Sequence, residues 1–387
     1  MKKLPSNILN LYIIKTAKWF NLVMPIVVLF YQKNGMNMQE IFMLKSIYSI
    51  GMVVMEIPSG YLADVWGRKK TLLLGALLGA SGFALYSFSY GFAAFAIAEL
   101  ILGVGYSFIS GSDSAMLYDT LKASGHEKEY IKQEGWITSA GHFAEALAGI
   151  CGGFLATISL HMPFYFQFAV ASTAIPAAFL LKEPQVHVKK LAVNFKAILG
   201  TVKNTFLHTQ LRSALLVSSF TGTASLIFAW FVQPYFQHAG IPVSVFGILW
   251  TLLNLSVGVS AFGAYRVESC LGQKKSLLLI IFGLTLGYIL SAWEISWAGL
   301  SILFFFYILR GIAHPILKDY INRYTESEVR ATILSLRDFV IRINFAIIGP
   351  VLGFLTDRFS LNVALLVSGM SYLLVSVIAA FPLLKKK

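Results

Sequence analysis

Charge is scarce in this 387-residue chain, and acid is scarcer than base. Charged residues make up 13% of it, with 18 Asp and Glu against 31 Lys and Arg, whereas soluble domains carry about a quarter. A water-solvated globule is thereby excluded, and a hydrophobic content of 57% with mean hydropathy +0.71 points to lipid as the solvent. Cysteine is limited to Cys151 in an apolar run and Cys270 in a polar interval, which excludes a disulfide framework and a thiolate metal site. No phosphate-binding glycine loop followed by Lys-Ser or Lys-Thr occurs, so no nucleotide-driven step is expected. His126-Glu127-Lys128-Glu129 lacks the spacing of metal ligands, and no nucleophile stands with a base. No enzyme activity, metal or cofactor is expected.

Long apolar runs are what the chain does have. Twelve stretches of roughly bilayer-spanning length, about 20 residues, lie near residues 11–31, 41–63, 71–90, 92–119, 130–158, 161–181, 211–237, 244–265, 276–293, 297–322, 330–356 and 361–383. The longest polar interval separates the sixth from the seventh and holds Lys182, Lys189, Lys190, Lys196, Lys203 and Arg212. The expected fold is an all-α polytopic membrane protein of twelve transmembrane helices. It divides into an N-terminal six-helix bundle (1–181), a cytoplasmic linker (182–212) and a C-terminal six-helix bundle (213–387).

The net charge of +13 would suggest nucleic acid in a soluble chain. Here the bases fall between apolar runs and at the ends, where they meet anionic headgroups, so membrane lipid is the expected partner and nucleic acid is not. Arg68/Lys69/Lys70, Lys122/Lys128/Lys132, the linker, Arg266/Lys274/Lys275, Arg323/Arg330 and Lys385/Lys386/Lys387 all occupy alternate intervals on one side. The opposite intervals are nearly free of bases, Lys33 and Arg358 being the exceptions, which predicts cytoplasmic termini. Met1-Lys2-Lys3 could open a signal peptide, but Lys15 and Lys18 interrupt the apolar run and no small-residue cleavage pattern follows. An uncleaved first span is expected.

The two groups of six also share sequence. Gly67-Arg68-Lys69-Lys70-Thr71-Leu72-Leu73-Leu74 recurs as Gly272-Gln273-Lys274-Lys275-Ser276-Leu277-Leu278-Leu279, an offset of 205 (272 − 67). Ser110-Gly111 faces Arg310-Gly311 at an offset of 200 (310 − 110), and Gly149, Gly153, Phe154 and Leu155 match Gly349, Gly353, Phe354 and Leu355 at the same offset. With the segment count, these repeats predict two pseudo-symmetric halves, with a substrate site near the bilayer midplane between them.

The stretch Gly60-Tyr61-Leu62-Ala63-Asp64-Val65-Trp66-Gly67-Arg68-Lys69-Lys70-Thr71-Leu72 wedges an acid, a glycine turn and a basic cluster between two apolar runs. It resembles the loop between the second and third helices of the major facilitator superfamily of secondary transporters, roughly G-x-L-A-D-[RK]-x-G-[RK]-[RK]-x-x-L. Every fixed position matches except Val65, which removes one charge and leaves the turn intact. The resemblance makes Gly60, Asp64, Gly67, Arg68 and Lys69 a gating loop, with Asp119 placed to pair with Arg68 or a neighbouring base.

Glu56-Ile57-Pro58-Ser59-Gly60, Arg310-Gly311 to Pro315, Tyr320-Ile321-Asn322, Arg330-Ala331-Thr332 and Ser335-Leu336-Arg337 resemble a bacterial drug-efflux-like subgroup. Gly149, Gly152 and Gly153 resemble the antiporter motif G-P-x-x-G-G of helix 5, although its proline appears instead in Gly349-Pro350-Val351-Leu352-Gly353. The resemblance implies a monomeric transporter of a small-molecule substrate in a bacterial inner (cytoplasmic) membrane, working by alternating access. Proton-coupled efflux is the expected activity, with protons as the second partner. Two other readings stay open: uptake or facilitated movement of an anionic solute, and a membrane receptor that has lost transport.

An ionisable side chain at hydrocarbon depth costs roughly 2.5 to 3.5 kcal/mol, so each needs a cavity, a partner or a function. Glu99 and Asp113 lie in the fourth segment with Tyr106 between them, on one expected polar stripe, and His142 and Glu145 lie one turn apart in the fifth. These four are the candidates for carrying protons, the alternative being satisfied structural groups. Arg310, His314 and Lys318 follow at intervals of four in the tenth segment, and Arg337, Asp338 and Arg342 lie in the eleventh. Arg310, His314, Arg342 and Tyr106 are the substrate-cavity candidates. Arg337 with Asp338 reads more simply as an inner ion network.

Overall fold

A computed structural model of the protein describes residues 6–184, 195–326 and 329–385. Lys189, Lys190, Lys386 and Lys387, counted above for orientation, lie outside the described residues. Among the described residues there is no strand. The helices are α1 (Ser6–Trp19), α2 (Val27–Lys33), α3 (Met38–Trp66), α4 (Arg68–Phe88), α5 (Phe92–Ile109), α6 (Ser112–Ala123), α7 (Tyr130–Ile158) and α8 (Met162–Leu180). They continue as α9 (Phe195–Leu207), α10 (Thr209–His238), α11 (Val243–Trp293), α12 (Leu300–Arg323), α13 (Arg330–Arg358) and α14 (Leu361–Lys385). An all-helical solution is what lipid demands, because a helix pairs its own N–H and C=O groups where no water is at hand.

Ten of these helices are long and apolar enough to cross a membrane, against the twelve segments expected. The first expected segment, 11–31, is split into α1 and α2, each too short to span alone. The break has local causes. Pro25 has no N–H to give a helix, and the Asn21 side chain accepts from Val23 N–H at 3.3 Å, competing with the helical ladder. The expected segments 244–265 and 276–293 run together in the 51-residue α11, interrupted only at Gly272, whose φ of 70° lies in the left-handed region. Its sequence counterpart Gly67 turns the same way, with φ 96°, between α3 and α4. The repeat seen in the sequence is thus a repeat of a turn that glycine alone makes cheaply.

The fourth segment corrects the sequence picture. A continuous polar stripe from Glu99 to Asp113 does not exist, because Gly111 at φ 80° ends one helix after Ile109 and starts another at Ser112.

The chain divides into two compact units, residues 1–36, 47–193 and 243–251 in one, and 37–46, 194–242 and 252–387 in the other. In the first, α1 packs its Ile8, Leu11, Ile14 and Ala17 against Leu72 and Ala76 of α4, Met116 and Leu117 of α6, and Ala174 and Ala178 of α8. In the second, Phe228 of α10 stacks on Phe306 of α12 with ring centroids 3.7 Å apart. Large apolar side chains such as Phe143 and Phe262 point outward, as a protein solvated by acyl chains requires.

The glycines at the offset of 200 have matching work. In the first unit a Cβ on Gly153 of α7 would lie 2.8 Å from Gly247 Cα at the start of α11, and Thr251 Oγ1 donates to Ala146 O at 3.1 Å. In the second unit a Cβ on Gly353 of α13 would lie 2.6 Å from Gln39 Cα at the start of α3, while Asp357 accepts from the N–H groups of Met38 (2.9 Å) and Gln39 (2.8 Å). The segments 37–46 and 243–251 are those that leave their sequence neighbours for the other unit.

Gly152 supports the break after α1, since a Cβ there would overlap the carbonyl of Leu22. Gly152→Ala is expected to lower the apparent melting temperature of the purified protein, as overpacking costs about 1–3 kcal/mol. Gly79→Ala, where a Cβ meets nothing within 4 Å, should leave it unchanged or raise it, given that alanine is favoured over glycine in a helix by about 1 kcal/mol. A thermal unfolding series in detergent compares the two.

Candidate functional site

The loop after α3 is held by charge. Arg68 Nε pairs with Asp119 Oδ2 of α6 at 2.8 Å, both side chains largely buried. Glu183, just beyond α8, accepts from the N–H groups of Arg68 and Lys69 at 2.8 Å each, closing the positive end of α4 with a carboxylate. Lys69 Nζ lies over the Phe179 ring at 5.4 Å. Gly60 and Asp64 are exposed on the last turns of α3. Glu183 carried no sequence signal, because it sits 115 residues from the group it caps.

Two charged groups occupy the first unit. In one, Glu99 of α5 is 2% exposed and its Oε1 accepts from Tyr31 Oη of α2 (2.7 Å) and Tyr86 Oη of α4 (2.6 Å), which are themselves 2.7 Å apart. Phe30, Phe95 and Phe164 pack around these rings. In the other, Asp113 does not share a face with Glu99. It sits in the first turn of α6, takes the N–H of Ser114 at 2.7 Å, and faces Lys15 of α1, whose ammonium lies 2.6 Å from Glu134 of α7 and 3.9 Å from Asp113. In the sequence Lys15 speaks only against a signal peptide, and Glu134 gives no signal.

Tyr106 stands apart from both, its ring 3.9 Å beneath Lys18 Nζ. The pair His142 and Glu145 is present at 3.8 Å, but the side chains are 61% and 40% accessible, so within the unit they lie on an open face and not in its core. His142 meets Trp19 edge-on, centroids 4.7 Å apart.

Outside the spans, His161 lies in the turn before α8 beside Phe30 and Tyr90. Burial and the nearby Lys33 push its pKa below the ordinary 6.5.

The second unit holds a cavity of about 370 Å³ between α10, α11, α12 and α13. Its wall carries Arg310, Arg337, Arg342, His314 and one carboxylate, Asp338, with hydroxyls from Thr221 and Ser225. Arg337 is fixed, its Nε donating to Ser218 Oγ at 2.6 Å and a terminal nitrogen to Asp338 Oδ1 at 2.7 Å. Arg310 lies over the Tyr307 ring at 5.3 Å. Among the described residues neither Arg310 nor Arg342 forms an ion pair. The close approach of α12 to α11 rests on Gly311, where a Cβ would lie 2.9 Å from Val257 Cα. Three guanidiniums facing one carboxylate form a surface for an anion, and a guanidinium fork suits carboxylate or phosphate geometry.

A twin-glycine loop repeat, ten apolar helices and two units carrying charge at depth describe a polytopic transporter scaffold, and comparison with known proteins decides which one. A sequence profile of the Major Facilitator Superfamily matches residues 11–340. The chain belongs to that superfamily. It is similar to the uncharacterised MFS-type transporter YxaM of Bacillus subtilis, 21% identical over 363 residues, covering 92% of this chain and 90% of YxaM. Multidrug resistance protein 2 of the same organism is 25% identical over 163 residues, 42% of this chain and 40% of that protein. The quinolone resistance protein NorA of Staphylococcus aureus is 22% identical over 165 residues, 42% of each. Among solved structures, the nucleoside transporter NupG superposes with a TM-score of 0.79 over 98% of this chain and all of that one, at 16% identity. A D-xylose-proton symporter gives 0.73 over 97% and 96%, at 12% identity. At such identities the superpositions show the fold alone. Superfamily members move small molecules across membranes and are not enzymes.

Tyr86→Phe should lower stability by about 1–3 kcal/mol, the cost of removing a hydrogen bond from a buried carboxyl group. Tyr31→Phe should do the same, and the double variant should deviate from additivity because the three oxygens form one network. Denaturant-dependent unfolding of the four proteins tests this. For His161 the pKa is depressed in the folded state, so the unfolded chain binds a proton first on acidification. Its contribution to stability is full above pH 6.5 and is lost as pH falls below that value. His161→Gln should flatten the acid limb of a melting-temperature profile.

Proposed function

We propose that this chain is a proton-coupled secondary transporter that exports a small organic solute by alternating access. On this reading residues 1–181 and 213–387 act as two six-helix bundles joined by the cytoplasmic linker 182–212, in a monomer of a bacterial inner membrane with both termini in the cytoplasm. The observation that carries coupling is the pair of buried carboxyl sites in the first unit, Glu99 and Asp113. A charge at that depth is retained where it does work. The outward direction follows the names of the drug-resistance relatives. Gly60, Asp64, Gly67, Arg68, Lys69 and Asp119 act as the gating loop of this cycle.

A second reading is favoured by the cavity of the second unit. Its basic wall of Arg310, Arg342 and Arg337 with His314 suits uptake or facilitated movement of a solute carrying a carboxylate or phosphate.

In proteoliposomes, an imposed pH gradient should accelerate transport of a cognate substrate without nucleotide. Equal rates with and without the gradient would remove the coupled reading. To find that substrate, cationic, neutral and anionic compounds are screened for thermal stabilisation of the purified protein, since a ligand that binds only the folded state raises its apparent stability. Under the export reading Arg310→Lys is tolerated and Glu99→Gln or Asp113→Asn stops proton-driven exchange. Stabilisation by anions alone, lost in Arg310→Lys and Arg342→Lys, would establish the second reading in its place.

A further inference from the structure

Lys15, Asp113 and Glu134 come from three helices, α1, α6 and α7, and meet with side chains 10%, 8% and 26% accessible. Their formal charges sum to minus one. The ammonium is committed to Glu134, at 2.6 Å, and the same Glu134 oxygen takes Ser114 Oγ at 2.9 Å. Asp113 is treated differently. Its Oδ1 caps the Ser114 N–H, while Oδ2 stands 3.9 Å from the ammonium, beyond hydrogen-bond reach although buried. One lysine therefore serves two carboxylates and closes a hydrogen bond to only one.

The positive N-terminal end of α6 favours Asp113, but no second side-chain cation reaches the group among the described residues, Lys132 of α7 lying over the Trp136 ring at 4.6 Å. On α1, Lys18 is turned to the Tyr106 ring. On α6, Asp119 is matched by Arg68 of α4. On α7, Tyr130 feels Glu134, Lys15 and Asp113, and His142 and Glu145 pair with each other two turns further on. Helix α8, the remaining neighbour of α1, contains no Asp, Glu, Lys, Arg or His. The group also lies beside the interruption between α5 and α6, where Asp113 is the first acid after Gly111.

We propose that Lys15, Asp113 and Glu134 form a single-proton exchange site in which the lysine ammonium and the proton compete for one pair of carboxylates. With both carboxylates charged, Lys15 is attracted to α6 and α7 together. One added proton neutralises the group, leaves the ammonium a single partner, and frees α1 from one of the two helices. The inference rests on the proton-coupled reading above, and names the group that takes the proton and the residue that it displaces.

The test is an infrared difference titration of the full-length protein in lipid nanodiscs, reading the C=O stretch of a protonated carboxyl, so no substrate is needed. Wild type should show a carboxyl band that grows on acidification. Asp113→Asn and Glu134→Gln should each remove that component, since Lys15 then matches the acid that remains. Lys15→Met should move its midpoint up by about 1–3 pH units, the effect of taking away an opposite charge at this distance. A band unchanged in both Asp113→Asn and Glu134→Gln would overturn the site, and these two variants decide the matter even where Lys15→Met fails to fold. A midpoint that stays put in a folded Lys15→Met would overturn the competition. Gradient-driven transport that persists in variants lacking the band also overturns this site, while leaving coupling through another acid. The band with its expected shifts, in a protein whose transport ignores the gradient, supports the site and defeats the coupled reading.

Discussion

The structure depends on one constraint: within lipid, a backbone group or charge released from its helix must find its partner inside the protein. The break after α1 shows how this is met. The freed N–H of Leu22 is taken by Gln167 Oε1 of α8 at 2.8 Å, and Gln167 is 1% exposed. The carbonyl of the same Leu22 is given room by Gly152 of α7. The second break, after α5, is met by Asp113, which takes the N–H of Ser114 at the new helix start. Interrupted helices recur where transporters handle ions and solutes, because only there does irregular backbone have polar neighbours.

Charge follows the same logic and differs between the units. In the first, acids dominate the buried groups, Glu99 held by two tyrosine hydroxyls and the pair Asp113 and Glu134 sharing one lysine. In the second, a cavity is walled by arginines, and among the described residues Asp338 pairs with Arg337 and not with Arg310 or Arg342. An acid-rich unit suits the handling of protons, and a base-rich one suits the handling of anions. The repeated sequence therefore gives similar frames with opposite polarity.

The frame was largely legible in the sequence. The Gly67 loop and its Gly272 copy marked turns that need a left-handed residue, and the structure has both. Gly149, Gly153, Gly349 and Gly353 matched at a single offset, and each meets a neighbouring element closely. What stayed hidden was pairing over distance. Lys15 and Glu134 are 119 residues apart, Leu22 and Gln167 145, and nothing local to any of them announces the other. The broken helices were missed for a related reason: residues 11–31 and 92–119 are apolar enough to read as unbroken, and a single Gly111 or Pro25 does not by itself decide the matter. Which face of a helix is open was not legible either: His142 and Glu145 lie one turn apart near the middle of α7, and their side chains are 61% and 40% accessible.

The approach of Gly153 to Gly247 is made of main chain alone, while the side chains of Thr251 and Trp250 lie beside Gly149, and Thr251 bonds the Ala146 carbonyl. Contacts between ordinary helices freeze rotamers, at a cost of up to about 2 kcal/mol of entropy for each long side chain. At the centre of this junction bare peptide has no rotamers to freeze, which leaves Thr251 and Trp250 as the side chains held beside it. Such a joint orders fewer side chains than one packed by long residues on both faces, so its closeness is set by the helices that carry it more than by repacking at their surface.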